Sequence, residues 1–483
     1  MKSRLFLAVL VGLLVLLAPT AALADINPGT GKTNVFMQNL GTADAQVNVT
    51  FYRQDTGDPD WTYTLPDPIP SKGAAYLLYT QFGVGDNWAG AAELAATEPL
   101  AAIVNMFWDG TTGTAAAAAT YNGVDAPATE VYLSGLAKSA TRQTRVSVQN
   151  TENTAATVAL NFFNRDGTAT GTLNDTIPAK AEKTYILDTI SQANFTATGG
   201  NGSLYITSNT KIAAMASIHA PEWAAAYSGA STGDTTIWVP GVFRRAVGST
   251  WQLYSAITVQ NLGTSAANIT VNLIGVPGKA STSWTDTIPA KASYGINTRS
   301  VGQMDPTKWA TAMNALGTNW QGSAKITCTN GQQLTGAGFY FLPASVPDNL
   351  GYNAARASDA TNNAISMPAV YRKLVGTNQI FSTTLVQNLD NTDGTLNVKF
   401  FSAAGTPAGN PAGYNVNLPA GSSIRLNLLS GLELPQQALT DLGNNFTGAM
   451  YIESATGHSI IAITNIVYSS LSRASGYSGF PVQ

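Results

Sequence analysis

The segment Pro28-Gly29-Thr30-Gly31-Lys32-Thr33 ends as a phosphate-binding loop ends, and nucleotide chemistry in this 483-residue chain would sit there. Such a loop reads Gly-x-x-x-x-Gly-Lys-Thr between a strand and a helix, so that backbone N–H groups cradle phosphate. Ile26 stands where the first glycine belongs, and a strand pattern follows Thr33. The match is a coincidence. Metal chemistry is no better served. His219 and His458, the two histidines, are far apart and form no cluster of zinc-ligand spacing. Asp55, Asp58 and Asp60 crowd one loop and could offer oxygens to calcium, but their order is not that of a calcium loop. A solvated loop is the better reading. The other carboxylates are sparse, and none pairs with another in a way that would mark a glycosidase. The nine tryptophans could stack on sugar rings but follow no common spacing, so core and junction packing is preferred. Cys328 is the one cysteine, so no intrachain disulfide can form; in the run Ala324-Lys325-Ile326-Thr327-Cys328 it reads as a buried structural thiol. No catalytic, cofactor-binding or metal-binding residue is assigned, and the chain reads as a non-enzyme.

The elements that would position any such group recur four times. Gln-Asn ends an apolar strand at Gln38-Asn39, Gln149-Asn150, Gln260-Asn261 and Gln387-Asn388, at intervals of 111, 111 and 127 residues. An apolar trio follows each pair: Val47/Val49/Phe51, Val158/Leu160/Phe162, Ile269/Val271/Leu273 and Leu396/Val398/Phe400. Alternation with period two gives each strand one buried and one wet face. A proline then marks a strand start or edge at Ile69-Pro70, Ile177-Pro178, Ile288-Pro289 and Leu418-Pro419. A glycine opens a further alternating strand at Gly90, Gly202, Gly322 and Gly448. Each repeat closes on Tyr121-Asn122-Gly123, Tyr227-Ser228-Gly229, Tyr352-Asn353-Ala354 or Tyr477-Ser478-Gly479. About seven short strands per repeat predict an antiparallel immunoglobulin-like sandwich, with a closed barrel as the alternative. The expected fold is all-β: four tandem sandwiches, with short helical insertions at Asp305–Gly317 in repeat 3 and Pro435–Gly443 in repeat 4. The expected domains are 1–24 as signal peptide, then repeats at 25–125, 126–232, 233–358 and 359–483.

Strand-like segments join the repeats at Val131-Tyr132-Leu133, Ile237-Trp238-Val239-Pro240 and Ile365-Ser366-Met367-Pro368. There are three for four repeats, so one terminal repeat should lack a strand. At the N-terminus, Lys2 and Arg4 precede an apolar run, Leu5 to Leu17, and Ala22-Leu23-Ala24 fits a cleavage site. Export follows, with no membrane span left after cleavage. The net charge of −3 argues against nucleic acid, whose phosphates demand basic patches. Charged residues make up 11%, against roughly 25% in average domains, so the surface must be neutral and polar.

The succession of Val-Gln-Asn strand, Leu-Pro-Ala-Gly, Gly-Ser-Ala and Tyr-Asn-Gly resembles the tandem immunoglobulin-like repeats of bacterial secreted and cell-surface proteins, over residues 33–479. The resemblance implies architecture and location more than activity. The expected function is a non-enzymatic extracellular adhesive rod. Its partners would be copies of itself in a filament or surface layer, or cell-surface polymers. Residues 25–32 or the C-terminal tail would complete a neighbour's sandwich and so build a head-to-tail fibre. The alternative is a secreted carbohydrate-binding protein.

Overall fold

Strands that alternate apolar and polar residues can bury one face only, so each repeat stacks them into two layers around a shared core. The computed structural model describes residues 26, 29–85, 87–111, 116–196, 200–342, 349–377, 379–469 and 473–482. The signal peptide read at residues 1–24 lies outside the described residues.

Repeat 1 holds β1 (Gly31–Asn39), β2 (Val47–Arg53), β3 (Pro59–Thr64), β4 (Ala74–Leu77), β5 (Gly90–Ala96), β6 (Leu100–Trp108) and β7 (Ala117–Asn122). Repeat 2 holds β8 (Ala128–Ser139), β9 (Arg142–Asn150), β10 (Ala156–Asn164), β11 (Ala169–Ile177), β12 (Glu182–Ile186), β13 (Asn201–Ala220) and β14 (Trp223–Ser228). Repeat 3 holds β15 (Thr236–Val247), β16 (Thr250–Asn261), β17 (Ala267–Gly275), β18 (Thr282–Ile288), β19 (Ser293–Asn297), α1 (Pro306–Leu316), β20 (Asn319–Cys328), β21 (Leu334–Phe341) and β22 (Asn349–Asn353). Repeat 4 holds β23 (Ala364–Lys373), β24 (Ile380–Asn388), β25 (Gly394–Phe401), β26 (Pro407–Ala408), β27 (Tyr414–Leu418), β28 (Ser423–Asn427), β29 (Gly431–Leu432), α2 (Gln436–Leu442), β30 (Asn445–Ser454), β31 (Ile460–Tyr468), β32 (Arg473–Ser478) and β33 (Phe480–Val482). The all-β class and both helical insertions stand. Asp305 caps α1 by accepting from the N–H groups of Thr307 and Lys308 at 2.9 and 3.0 Å, and Gly317 ends it at φ 70°. In repeat 2 the glycine-opened strand does not end within one layer: β13 runs on past Ile212 and passes from one layer to the other.

The apolar trios are buried in all four cores, and so is every motif asparagine. Each asparagine ties two turns together in the same way. Asn261 Nδ2 donates to Ser265 O (2.8 Å), Ile288 O (3.0 Å) and Pro289 O (3.0 Å), while its Oδ1 accepts from Gly263 N (2.9 Å). Asn39, Asn150 and Asn388 repeat the pattern against Ile69, Ile177 and Leu418.

The three joining segments are the first strands β8, β15 and β23. Each starts against the glycine-opened strand of its own repeat (β13, β20, β30) and crosses a register shift. It then meets the Gln-Asn strand of the other layer (β9, β16, β24) and so bridges the sandwich. The closing tyrosines hold that crossing: Tyr227, Tyr352 and Tyr477 donate to the carbonyls of Ser134, Gly241 and Ala369. Among the described residues, repeat 1 has no such strand, and its two layers form separate sheets, β4-β1-β6-β7 and β3-β2-β5.

The expected rod is overturned. The four closing strands, β7, β14, β22 and β32, meet at a common centre, and the chain closes into a ring. Asn122 Nδ2 donates to Ser478 O (2.8 Å) and Ser478 N donates back to Asn122 Oδ1 (3.0 Å), joining repeats 1 and 4. Asn353 and Ser228 exchange the same pair of bonds at 2.6 and 3.2 Å, joining repeats 3 and 2. Ser228 Oγ also donates to Asn122 O, joining repeats 2 and 1. Apolar clusters run across every junction: Trp108 and Ala119 with Met215 and Ala224, Tyr227 with Phe339, Ile237 with Leu385 and Ile463, and Phe36 with Tyr371. The physical reason lies in the closing strands, whose small residues let neighbouring backbones approach: a Cβ on Gly351 would fall 2.9 Å from Ala226 O.

Two outcomes test this reading. Asn261→Ala strands buried carbonyls and should lower unfolding free energy by roughly 2–4 kcal/mol in denaturant titration, at 1–3 kcal/mol per unpaired group. Small-angle scattering of the purified protein should give a radius of gyration near ~23 Å, that of a compact chain of this length; a rod would give a value well above it.

Candidate functional site

The residues that suggested chemistry are spent on structure. Lys32 lies in β1, not in a phosphate loop, and its ammonium pairs with Asp109 at 2.7 Å. Asp60 pairs with Arg53 at 2.5 Å, and Asp55 turns a hairpin at φ 65°, its N–H bound to Glu182 O of repeat 2. Among the described residues, no three of His, Cys, Asp and Glu come together as a metal site. Cys328 is buried, and its thiol donates to Asn330 Oδ1 at 3.0 Å. His458 links Thr392 and Thr456 through its two ring nitrogens. His219 is buried at the junction of repeats 1 and 2, edge-on to Trp108 at 4.7 Å and bonded to Ser217. Burial, helped by Arg145, lowers its pKa to about 3, so it is neutral at physiological pH.

Two signals escaped the sequence reading. Gly229-Ala230-Ser231-Thr232-Gly233 has the spacing of a nucleophile elbow. It connects strand β14 to strand β15, where an elbow needs a helix, and both histidines bond elsewhere. The second signal is a lysine two residues after three of the marker prolines. Lys72, Lys180 and Lys291 take φ values of 63°, 60° and 59°, a region that favours glycine, and Gly421 fills that place in repeat 4. Each ammonium reaches back to the preceding repeat around the ring. Lys72 lies 5.3 and 4.9 Å from the Phe401 and Tyr451 ring centres. Lys180 pairs with Glu93 at 3.0 Å, and Lys291 lies 5.0 Å from the Tyr205 ring. Beside these lysines, a hairpin of each repeat bonds to the proline turn of the next, as in Ala74 N to Ala403 O (2.9 Å) and Ser293 N to Arg165 O (3.1 Å).

The surface left over is the edge of β5. In repeats 2 to 4 the corresponding strand is flanked on both sides, by β10 and β8, β17 and β15, or β25 and β23. Among the described residues, β5 pairs with β2 alone. Gln54 N donates to Ala89 O and Thr97 N to Gln46 O, which fixes the parity of the ladder. Odd-numbered residues of β5 therefore bond β2, and Gly90, Ala92, Leu94 and Ala96 turn their N–H and C=O groups toward the open side.

A family model described as a family of unknown function, DUF5719, matches residues 87–198. That segment runs from repeat 1 into repeat 2 and is less than half of the chain. No curated protein matches this chain. Among solved structures, the Anabaena sensory rhodopsin transducer is similar at 17% identity and a TM-score of 0.16, over 19% of this chain and 95% of that one. Neither similarity carries an activity to this chain. No helix among the described residues is long and apolar enough to cross a membrane.

The His219 environment yields a pH signature. Its folded pKa lies below its unfolded value near 6.5, so the unfolded chain binds more protons between pH 6.5 and 3. The stability linked to it is present above pH 6.5 and falls as pH drops, by up to ~1.4 kcal/mol per pH unit. His219→Gln should flatten that limb in denaturant titrations from pH 7 to 4; an unchanged slope would contradict the buried, neutral assignment.

Proposed function

We propose that this chain is an exported, non-enzymatic scaffold of the cell surface, a ring of four sandwiches that joins a second copy of itself along the open edge of β5. The observation that carries the reading is that edge: a row of outward N–H and C=O groups that no strand covers among the described residues, where its counterparts in the other repeats are covered. Unpaired edges are templates for strand addition. The leader-like N-terminus supports export, and the neutral polar composition supports a packed surface layer.

Of the donors expected from sequence, residues 25, 27 and 28 of the N-terminal segment lie outside the described residues. Phe480–Val482 of the C-terminal tail is β33, paired with β23 of its own chain. Gly31 and Lys32 open β1, and Thr30 O accepts from Asp109 N. The partner proposed for the β5 edge is the β5 edge of a second copy. Pairing them antiparallel gives a twofold interface that the same residues of both copies satisfy, and the sequence Gly-Ala-Ala-Glu-Leu-Ala-Ala is small enough for close approach.

Proline separates the edge from the ladder. Ala92→Pro removes an outward N–H and should leave the fold intact while abolishing self-association in light scattering coupled to size-exclusion chromatography. Ala91→Pro removes a ladder N–H and should lower the stability of repeat 1. A wild-type protein that stays monomeric at millimolar concentration, or an Ala92→Pro variant that associates as wild type does, would sink the proposal.

A further inference from the structure

Ring closure gives the molecule two unlike faces. The closing strands lie side by side in register: Asn122 with Ser478, Asn353 with Ser228, and Gly351 with Ala226. Equivalent turns of the four repeats therefore come to the same face. One face gathers the ends of the Gln-Asn strands and the turns beside them. The other gathers the hairpins β8–β9, β15–β16 and β23–β24, the start of β1, and the loops that follow β4, β19 and β28.

The two faces differ in apolarity. Among the described residues, the exposed large hydrophobic side chains are Leu78, Tyr79, Val247, Val375, Leu429 and Leu432, and all lie on the hairpin face. Val247 is 73% exposed and Val375 56%, each three residues past the buried arginine of its hairpin strand, Arg244 or Arg372. Leu78 and Tyr79 follow β4, and Leu429 and Leu432 border the equivalent loop after β28. A lone exposed aliphatic is ordinary, but these share one end of the ring.

The faces differ in charge as well. Arg245 and Arg299 are exposed in the turns of repeat 3, and Lys373 and Arg473 share a row of strand partners at the Val375 hairpin. Among the described residues, none of the four enters an ion pair. Like charges even meet across junctions, Arg473 with Lys32 and Arg245 with Arg425. The carboxylates beside them are engaged: Asp109 pairs with Lys32, and Glu433 accepts from the Arg425 N–H. A cleft of about 450 Å³ between repeats 2 and 3, lined in part by the loop after β19, holds a further cation, Arg165, set against Gly295. Repeat 2 brings Lys138 but also Asp188 and Glu222, so the feature belongs chiefly to repeats 1, 3 and 4. The Gln-Asn face is the reverse. Asp44, Glu98, Glu152, Asp234, Asp390 and Asp393 stand in its turns against Lys211 and Arg356.

A partner for the hairpin face must offer anions at its surface and hydrocarbon beneath. The acidic face of a second copy supplies only the anions. We infer that the hairpin face docks on an anionic phospholipid bilayer as a peripheral contact. Val247, Val375, Leu429 and Leu78 enter the headgroup layer, while Arg245, Arg299 and Lys373 bind its phosphates. Tyr79 suits that boundary, with an apolar ring and a polar tip. A flat support engages several repeats at once, which closure into a ring permits. The inference goes beyond the scaffold reading and rests on ring closure rather than on the β5 edge, so either can fail alone.

Sedimentation of the purified protein with lipid vesicles tests it. Vesicles of phosphatidylglycerol and phosphatidylcholine in equal parts should bind it roughly tenfold more tightly than phosphatidylcholine alone, and raising NaCl from about 50 to about 500 mM should weaken that binding. Arg245→Gln, Arg299→Gln and Lys373→Gln together should weaken it roughly tenfold. Val247→Ser, Val375→Ser and Leu429→Ser together should weaken it roughly fivefold. These positions are at the surface, and circular dichroism should show both triple variants folded. All variants share one N-terminus, so a retained leader cannot mimic the difference. Asp44→Asn on the other face, and Ala92→Pro in β5, should still bind. Equal binding to both kinds of vesicle, binding that survives either triple variant, or no binding at about 1 mM anionic lipid would each overturn the inference. Self-association without lipid that both triple variants abolish, in a protein that ignores vesicles, would assign the face to a second copy instead.

Discussion

The side-chain amide of the motif asparagine is withdrawn from water in all four repeats, and its hydrogen bonds decide where two turns of each sandwich can lie. Nδ2 must donate to the carbonyl four residues on and to the one that precedes or carries the marker proline. Oδ1 must accept from the backbone two residues on. A buried amide left unpaired is expensive, so the two turns cannot drift apart. The proline turn so fixed is the surface each repeat offers to the hairpin of its neighbour. The clamp inside one sandwich thereby sets the geometry between sandwiches.

Four copies of that junction turn the chain back on itself. At three of them a lysine held in a left-handed conformation reaches the preceding repeat, and the strained backbone is tolerated because the ammonium finds aromatic faces or a carboxylate there. Repeat 4 places Gly421 at that position and reaches repeat 3 through Ser422, whose hydroxyl donates to Gly275 O. At the centre, asparagine and serine alternate along the four closing strands, and each asparagine spans to a serine of a neighbouring repeat. A ring of like repeats has no ends to leave unmatched, yet this one keeps a defect. Among the described residues, repeat 1 shows no bridging strand for Tyr121 to hold, and the β5 edge pairs with β2 alone.

The trios and clamps are constant, whereas the junction between repeats 2 and 3 exchanges neutral residues for Arg142 and Arg165 and deletes a side chain at Gly295. Among the described residues, the uncovered edge of β5 and the cleft between repeats 2 and 3 both occur where one repeat breaks the register of the other three.

Much of each sandwich was legible from local rules. The alternation in Val47-Asn48-Val49-Thr50-Phe51 fixes one buried face, Asp305-Pro306 and Gly317 bound a helix, and Gln-Asn before a turn marks a clamp. These are interactions between residues near in sequence or in one strand period. The joining segments were legible as strands, three for four repeats. What the sequence could not show is which surfaces meet. Residues 122 and 478 bond across nearly the whole chain, and no local pattern encodes that distance. Only the fold sets Gly295 against Arg165, 130 residues away along the chain. The sequence by itself determined the strands, their turns and a fourfold recurrence with three joining segments, because alternation and turn chemistry act over a few residues. Only the tertiary structure decided for a ring over a rod, because closure depends on the backbone contact that small residues permit between strands far apart in the chain.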